Sequence, residues 1–352
     1  MSAWAGSPTG EQWVIAHGHQ EAVVTEVGAT LREYTVSGHD VVQGFAPDEW
    51  SQAGRGQVLA PWPNRLGDGS YEWRGVRVQA ALDEPKLGNA IHGLVRWLPW
   101  QLDAHAQNVV SLRCPIRPTP GYPWCLELSV EYRLRRDGLV VTTTALNAGA
   151  GAVPLGVGFH PYLSAGGGRV DTALLRLPAR SRLVLDARSL PTGEVQPVAG
   201  TELDFTVARS VGPVRLDTAF TDLQRDPDGR ARATLEVPST GHGAELWADD
   251  RFRYLMCYTG DTIGDDRLRR TAVAIEPMTC PPDAFRSGRD LIVLEPGERW
   301  EGSWGLRPLP AAAVPGGSAA PGAPGGRAPA DVPGAPGAPG GPAPAAVPGG
   351  PG

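Results

Sequence analysis

The chain lacks the signatures of several large functional classes. Only four of its 352 residues are cysteines: Cys114, Cys125, Cys257 and Cys280. No pair has the C-x-x-C spacing of a zinc or redox site, and a chain this long buries enough core to need no disulfide or metal staple. Cys114 and Cys125 could meet on paired strands, but free, buried thiols are the expectation. The formal charge is -6 at pH 7, without the concentrated basic patch that nucleic-acid binding requires. The short basic pieces at Arg133, Arg135, Arg136 and at Arg267, Arg269, Arg270 read as solvated loops or strand edges. No apolar run approaches the ~20 residues of a membrane span. The N-terminus lacks the positive flank and apolar run of a signal peptide, so a cytoplasmic location is expected. H-E-x-x-H, G-x-S-x-G, the P-loop and the dinucleotide fingerprint are all missing. These absences lead to the expectation of no metal, no redox cofactor, and neither nucleic acid nor membrane as a partner.

Amphipathic helices are missing too. What is there reads as β from end to end. Leu126, Leu128, Val130, Tyr132 and Leu134 alternate with Glu127, Ser129, Glu131, Arg133 and Arg135, a strand with one wet face. Asp137-Gly138 is a turn signal, and residues 139–146 return. Residues 71–78 predict a hairpin turning at Arg74-Gly75. Residues 22–36 form two short pieces around Gly28, and residues 282–287 allow at most a turn or two of helix. Many short strands with Gly/Pro loops predict an all-β, large antiparallel β-sandwich in one domain over residues 13–307. Residues 1–12 read as a flexible N-terminus. Residues 308–352 are Pro/Gly/Ala-rich, almost without large apolar or charged side chains, and predict a disordered tail.

Five short segments could carry chemistry. Residues 60–69 place Arg65 in a Pro- and Gly-rich segment read as a loop, where its fork of donors could hold hydroxyls or simply form a salt bridge. Residues 89–100 place His92 in an apolar run, as a core imidazole or a catalytic one, with Trp97 and Trp100 as core or a stacking platform. Residues 154–164 frame His160 between Gly158 and Pro161, which suits a positioned proton donor. Residues 273–285 put Glu276 at the end of an apolar strand, just before Pro277. A carboxylate there is solvated, paired or functional, and burial would raise its pKa toward that of a useful base. Asp217, in residues 215–223, reads as a loop carboxylate. Two imidazoles and a carboxylate suit proton transfer between oxygens, and equally a metal site assembled in space.

At these residues the chain resembles the aldose 1-epimerase (galactose mutarotase-like) family. PWPNR (61–65), NAIHG (89–93), GFHPY (158–162), the Leu216-Asp217 pair and IEPMT (275–279) occur in the family's order. The resemblance covers roughly residues 13–307. It implies an antiparallel β-sandwich with a small-molecule sugar in an open groove. It also implies interconversion of α and β anomers of a free aldohexose. By this resemblance Glu276 is the general base at the C1 hydroxyl and His160 the general acid at the ring oxygen. His92 assists near that oxygen, and Arg65, Asp217, Asn64 and Tyr258 bind the sugar. One departure stands at residues 257–266, CYTGDTIGDD, where galactose mutarotases continue the YTG element with Asn. Asp261 there puts galactose preference in question.

Other readings stay open on the same residues. A hexose-phosphate mutarotase would need further arginines, for which Arg96 and Arg286 are available. A non-catalytic carbohydrate-binding protein would bind sugar without speeding anomer exchange. A glycoside hydrolase would need two placed carboxylates, and Asp217 with Glu276 is the pair on offer.

Overall fold

The computed structural model describes residues 6–309. Residues 1–5 and 310–352, most of the expected tail, lie outside the described residues. The alternating segment forms the strand Leu126–Arg135, with its apolar set buried and Glu127 and Arg135 exposed. It pairs with Gly138–Asn147 from Arg135↔Gly138 to Leu126↔Asn147, closing at the Asp137-Gly138 turn. These two strands sit in a nine-stranded antiparallel sheet that continues through Arg299–Leu309, His242–Ala248 and Ala231–Val237. Pro308 and Leu309 therefore belong to the last strand, paired opposite Ala244 and Gly243. At the other end Thr9 is already buried and Gln12 opens the first strand, Gln12–His17.

A second antiparallel sheet carries Pro191–Pro197, Ala179–Leu185, Asp217–Leu223, Tyr254–Tyr258 and Ala272–Met278, then the short Gly158–Phe159 and Val58–Leu59. One face of each sheet contributes to a common apolar core that includes Val130, Tyr132, Leu255, Ile275 and Trp304. Phe159 of the second sheet meets Trp304 of the first with ring centroids 5.1 Å apart. Tyr132 is fully buried, and its hydroxyl donates to the Ala29 carbonyl at 2.7 Å, tying a smaller four-stranded sheet at the N-terminal end to the core. The architecture is the expected antiparallel β-sandwich. Among the described residues the α-helix Ala284–Ser287 is a single turn.

Other local expectations meet the structure unevenly. The hairpin turns at Arg74-Gly75, both left-handed at φ 48 and 82, as a tight turn between twisted strands requires. All four cysteines are free. Arg270 is not solvated: it is buried and bonded to Asp261 at 2.9 Å. Arg65 does not lie in a loop but opens the strand Arg65–Gly67, paired with Asn89–Ile91. Asp217 likewise opens a strand, opposite Tyr258. Glu276 lies within its strand rather than at the end, opposite Met256, and the strand runs through Pro277 to Met278. A proline is tolerated there because the neighbouring strand is itself interrupted. Tyr162–Ser164 pairs with residues 272–274 and Gly158 with Met278, with His160-Pro161 filling the gap between them.

Candidate active site

Side chains two apart on a strand share a face. Ile275 therefore points into the core while Glu276 points away from it, as do Met256 and Tyr258 on the adjacent strand. Glu276, Met256, Tyr258 and Asp217 form the floor of a cavity of about 310 Å³. The interruption in the sheet supplies its end: His160, lifted out of the ladder, faces Glu276 with Nε2 3.3 Å from Oε1. The His160 ring stacks on Tyr162, at 5.0 Å and nearly parallel, and meets His92 edge-on at 5.3 Å. Gly54 lies flat against it, where an added Cβ would sit 2.6 Å from His160 Cδ2.

The walls come from one stretch of chain, residues 51–97. Asn64 and His92 both adopt left-handed backbone, at φ 56 and 64. Such strain in non-glycine residues persists only where the surroundings hold it, and it gathers at functional sites. Here the two residues hold each other: the His92 amide donates to the Asn64 carbonyl at 2.9 Å, and the Asn64 amide donates to His92 Nδ1 at 3.2 Å. The second bond fixes the tautomer. Nδ1 is an acceptor, so Nε2 carries the hydrogen of the neutral ring. Burial first, then coupling to the His160 ring and the charges of Arg96 and Arg65, hold the His92 pKa well below the usual imidazole range.

Arg65 is clamped by Glu84: its Nε lies 3.1 and 2.9 Å from the two carboxylate oxygens, and one Nη lies 3.0 Å from Oε1. Its other neighbour is Asp217, at 3.8 Å. Burial works against the Arg65 charge. The Glu84 bonds and the charges of Asp217, Glu84 and Glu276 outweigh it, so its pKa is raised. The Asp217 side chain is 46% exposed, yet it opens onto the cavity with protein around it. That surrounding protein raises its pKa, against the pull of Arg65.

The Glu276–His160 pair is nearly sealed from water. Its remaining polar atoms, Glu276 Oε2 and His160 Nδ1, have no hydrogen-bond partner. Burial, then the Asp217 charge, pushes Glu276 well above the usual carboxylate range, with Arg65 opposing. Burial, with Arg96 and Arg55, lowers His160 to about 3. Both directions favour a pair that shares one proton in its uncharged form. Unsatisfied buried polar atoms cost stability and need an account.

All seven residues singled out from the sequence, Glu276, His160, His92, Arg65, Asp217, Asn64 and Tyr258, line this one cavity. Arg96 lines it too. Arg286 does not: it is held by Asp68 at 3.2 Å. The sequence reading missed Asp83 and Glu84. Asp83 accepts from Arg96 at 2.7 Å, and Glu84 holds Arg65. A tandem acid before Pro85 looks like any solvated turn. The one available signal was that two pocket arginines need counter-charges.

A buried imidazole–carboxylate pair facing a polar cavity has the parts of an acid–base site, and the family to which the chain belongs is one of isomerase-class enzymes. The chain belongs to the aldose 1-epimerase family, whose family model matches residues 11–307. It is 34% identical over 291 residues to the uncharacterized protein YihR of Escherichia coli K12, covering 82% of this chain and 91% of that protein. It is 30% identical over 289 residues to human galactose mutarotase, covering 74% and 82% respectively. It is 27% identical over 293 residues to maltose epimerase of Levilactobacillus brevis, covering 75% and 84%. The fold matches that of a GalM/aldose epimerase homologue from C. elegans with a TM-score of 0.77 at 19% identity, over 86% of this chain and 99% of that one. No helix among the described residues is long and apolar enough to cross a membrane.

Proposed function

We propose that the protein interconverts the α and β anomers of a free aldohexose by acid–base ring opening and closure. The observation that carries this reading is the His160–Glu276 contact at 3.3 Å, buried and open to one cavity. Anomer exchange needs one group that accepts a proton and one that donates it, within reach of O1 and O5 of the same pyranose. A pair that holds a single shared proton is both.

With the sugar seated, its hydroxyls hydrogen-bond the carboxylate and favour the ionised arrangement, with the proton on His160. Glu276 takes the proton from the C1 hydroxyl, the C1–O5 bond breaks, and His160 protonates O5. The aldehyde end rotates about C1–C2. Closure on the other face returns the O5 proton to His160 and the Glu276 proton to O1, so the pair is restored. His92 donates its Nε2 hydrogen near the ring oxygen. Arg65, Asp217, Asn64 and Tyr258 hold the remaining hydroxyls. The names of the relatives, galactose mutarotase and maltose epimerase, agree with a neutral sugar. So does the charge of the cavity. The cations Arg65 and Arg96 face the acids Asp83, Glu84, Asp217 and Glu276, and Arg286 is turned elsewhere, so a sugar phosphate finds no free cation cluster.

The test is NMR or polarimetry of freshly dissolved α-glucose and α-galactose with wild type, Glu276→Gln and His160→Asn. Wild type is expected to speed exchange and both variants to lose at least ~100-fold in kcat. Failure of wild type on a broad aldose panel would refute the reaction. A fully active Glu276→Gln would refute the assigned base.

A further inference from the structure

Among the described residues Trp50 and Trp97, 63% and 47% exposed, are the two most exposed tryptophans. Scattered exposed aromatics are ordinary, but these two are neighbours, with ring centroids 6.3 Å apart and planes tilted by 44°. They stand at the mouth of the cavity: Trp97 and Ser51 line it, and Trp50 adjoins Ser51 in the chain. The two rings are tilted rather than stacked on each other, and Arg96 covers one face of Trp97. The Trp97 ring is also fixed in place. It follows buried Val95 in the turn Val95–Trp97, and the Arg96 guanidinium lies over it at 5.1 Å while bonded to Asp83.

We propose that Trp50 and Trp97 form an outer subsite for a second pyranose ring, so that the preferred substrate is the reducing-end unit of an oligosaccharide. This rests on the anomer exchange proposed above. The cavity, at about 310 Å³, lies at the bottom of the range for small-molecule pockets, about 300–1,000 Å³, so a second ring must lie outside it. A pyranose presents a face of C–H bonds polarised by neighbouring oxygens. Such a face sits well on the negative face of an indole, and the hydroxyls at its rim stay in water. Trp97 lines the cavity and Trp50 lies beside it, so an outer ring joined to the occupant of the cavity has an aromatic surface within reach.

The experiment measures anomer exchange by NMR on glucose, galactose, maltose, cellobiose and lactose, with wild type, Trp50→Ala and Trp97→Ala, and titrates each protein calorimetrically with the same sugars. Wild type is expected to show a higher kcat/KM on at least one disaccharide than on glucose. Each variant should lower that disaccharide-to-glucose ratio about tenfold, the effect of one stacking contact of ordinary strength. An unchanged ratio in both variants overturns the proposal. So does self-association of the wild type that Trp50→Ala abolishes while the ratio is unchanged, which makes the pair a protein interface. Disaccharide binding that depends on the tryptophans, without acceleration of any sugar, refutes the reaction and leaves the subsite standing.

Discussion

Glu84 contacts Arg65 more fully than any substrate could, and its replacement separates positioning from chemistry. In Glu84→Gln the carboxylate charge is lost and at most one acceptor oxygen remains, where three short N–H···O contacts of 2.9 to 3.1 Å now hold the guanidinium. Breaking one side of a buried ion pair costs about 3–5 kcal/mol. The two side chains are 12% and 21% exposed, and Asp217 remains as a second anion at 3.8 Å, so about 2 kcal/mol is the better figure here. Asn89, which donates to Glu84 at 2.9 Å, can bond the amide oxygen and limits the loss further. The thermal midpoint should fall by roughly 4 °C. Freed from Glu84, Arg65 moves toward Asp217, away from the geometry in which both address the sugar. A misplacement of that order costs roughly 10- to 100-fold in kcat/KM, carried mainly by KM. The assay is NMR exchange kinetics at several sugar concentrations, beside differential scanning calorimetry. A variant with the lowered midpoint but wild-type kcat/KM would show that the clamp serves the fold alone and would refute the positioning argument.

Gly54→Ala should place a methyl 2.6 Å from His160 Cδ2 at a backbone φ of +73, displacing the imidazole from Glu276. A fall in kcat with KM nearly unchanged is the expected kinetic result. The pH profile of kcat/KM should stay flat from neutrality to about pH 5, because burial lowers His160 to about 3 and a second proton joins the pair only well below the ordinary imidazole value. An acid limb near pH 6.5 would contradict the buried pair. Stability has its own pH signature: below about 6.5 the unfolded imidazole binds a proton the folded one refuses, so His160 makes the protein lose stability as pH falls. Glu276, with its raised value, acts in the opposite sense, stabilising least once pH exceeds its folded pKa. Tyr132→Phe should cost about 1–1.5 kcal/mol by orphaning the Ala29 carbonyl, measured by urea denaturation, with exchange kinetics unaltered.

Much of the sandwich was legible because a half-buried strand writes its geometry into every second residue. Leu126 to Arg135 could be read directly, and the Asp137-Gly138 turn fixed its register. Glu276 was legible as a carboxylate that must be solvated, paired or functional, but not in its place. Pro277 reads as a stop, and only the absence of a continuous neighbour at His160-Pro161 lets the strand run on. Asp217 and Arg65 were read as loop residues because strands of three to seven residues, paired far along the chain, leave no local period. Asp83 and Glu84 were illegible for a different reason. Their role is set by Arg96 and Arg65 across a fold of the chain, and nothing in the sequence Leu-Asp-Glu-Pro distinguishes a clamp from a wet turn.

The cavity divides by origin. Its floor, with Glu276, Tyr258 and Asp217, is cut from a central sheet, whereas Asn64, Asp83, Glu84, His92, Arg96 and Trp97 arrive on one continuous stretch. On the roles proposed above, the Glu276–His160 pair lies outside that stretch, while the stretch brings much of the wall that would meet the sugar, with Asp217 and Tyr258 added by the sheet. Residues 60–97 are therefore the stretch to exchange between relatives. Grafting that stretch from a relative of different preference should transfer the preference, read as the ratio of kcat/KM on two sugars, while the reaction itself goes with the sheet.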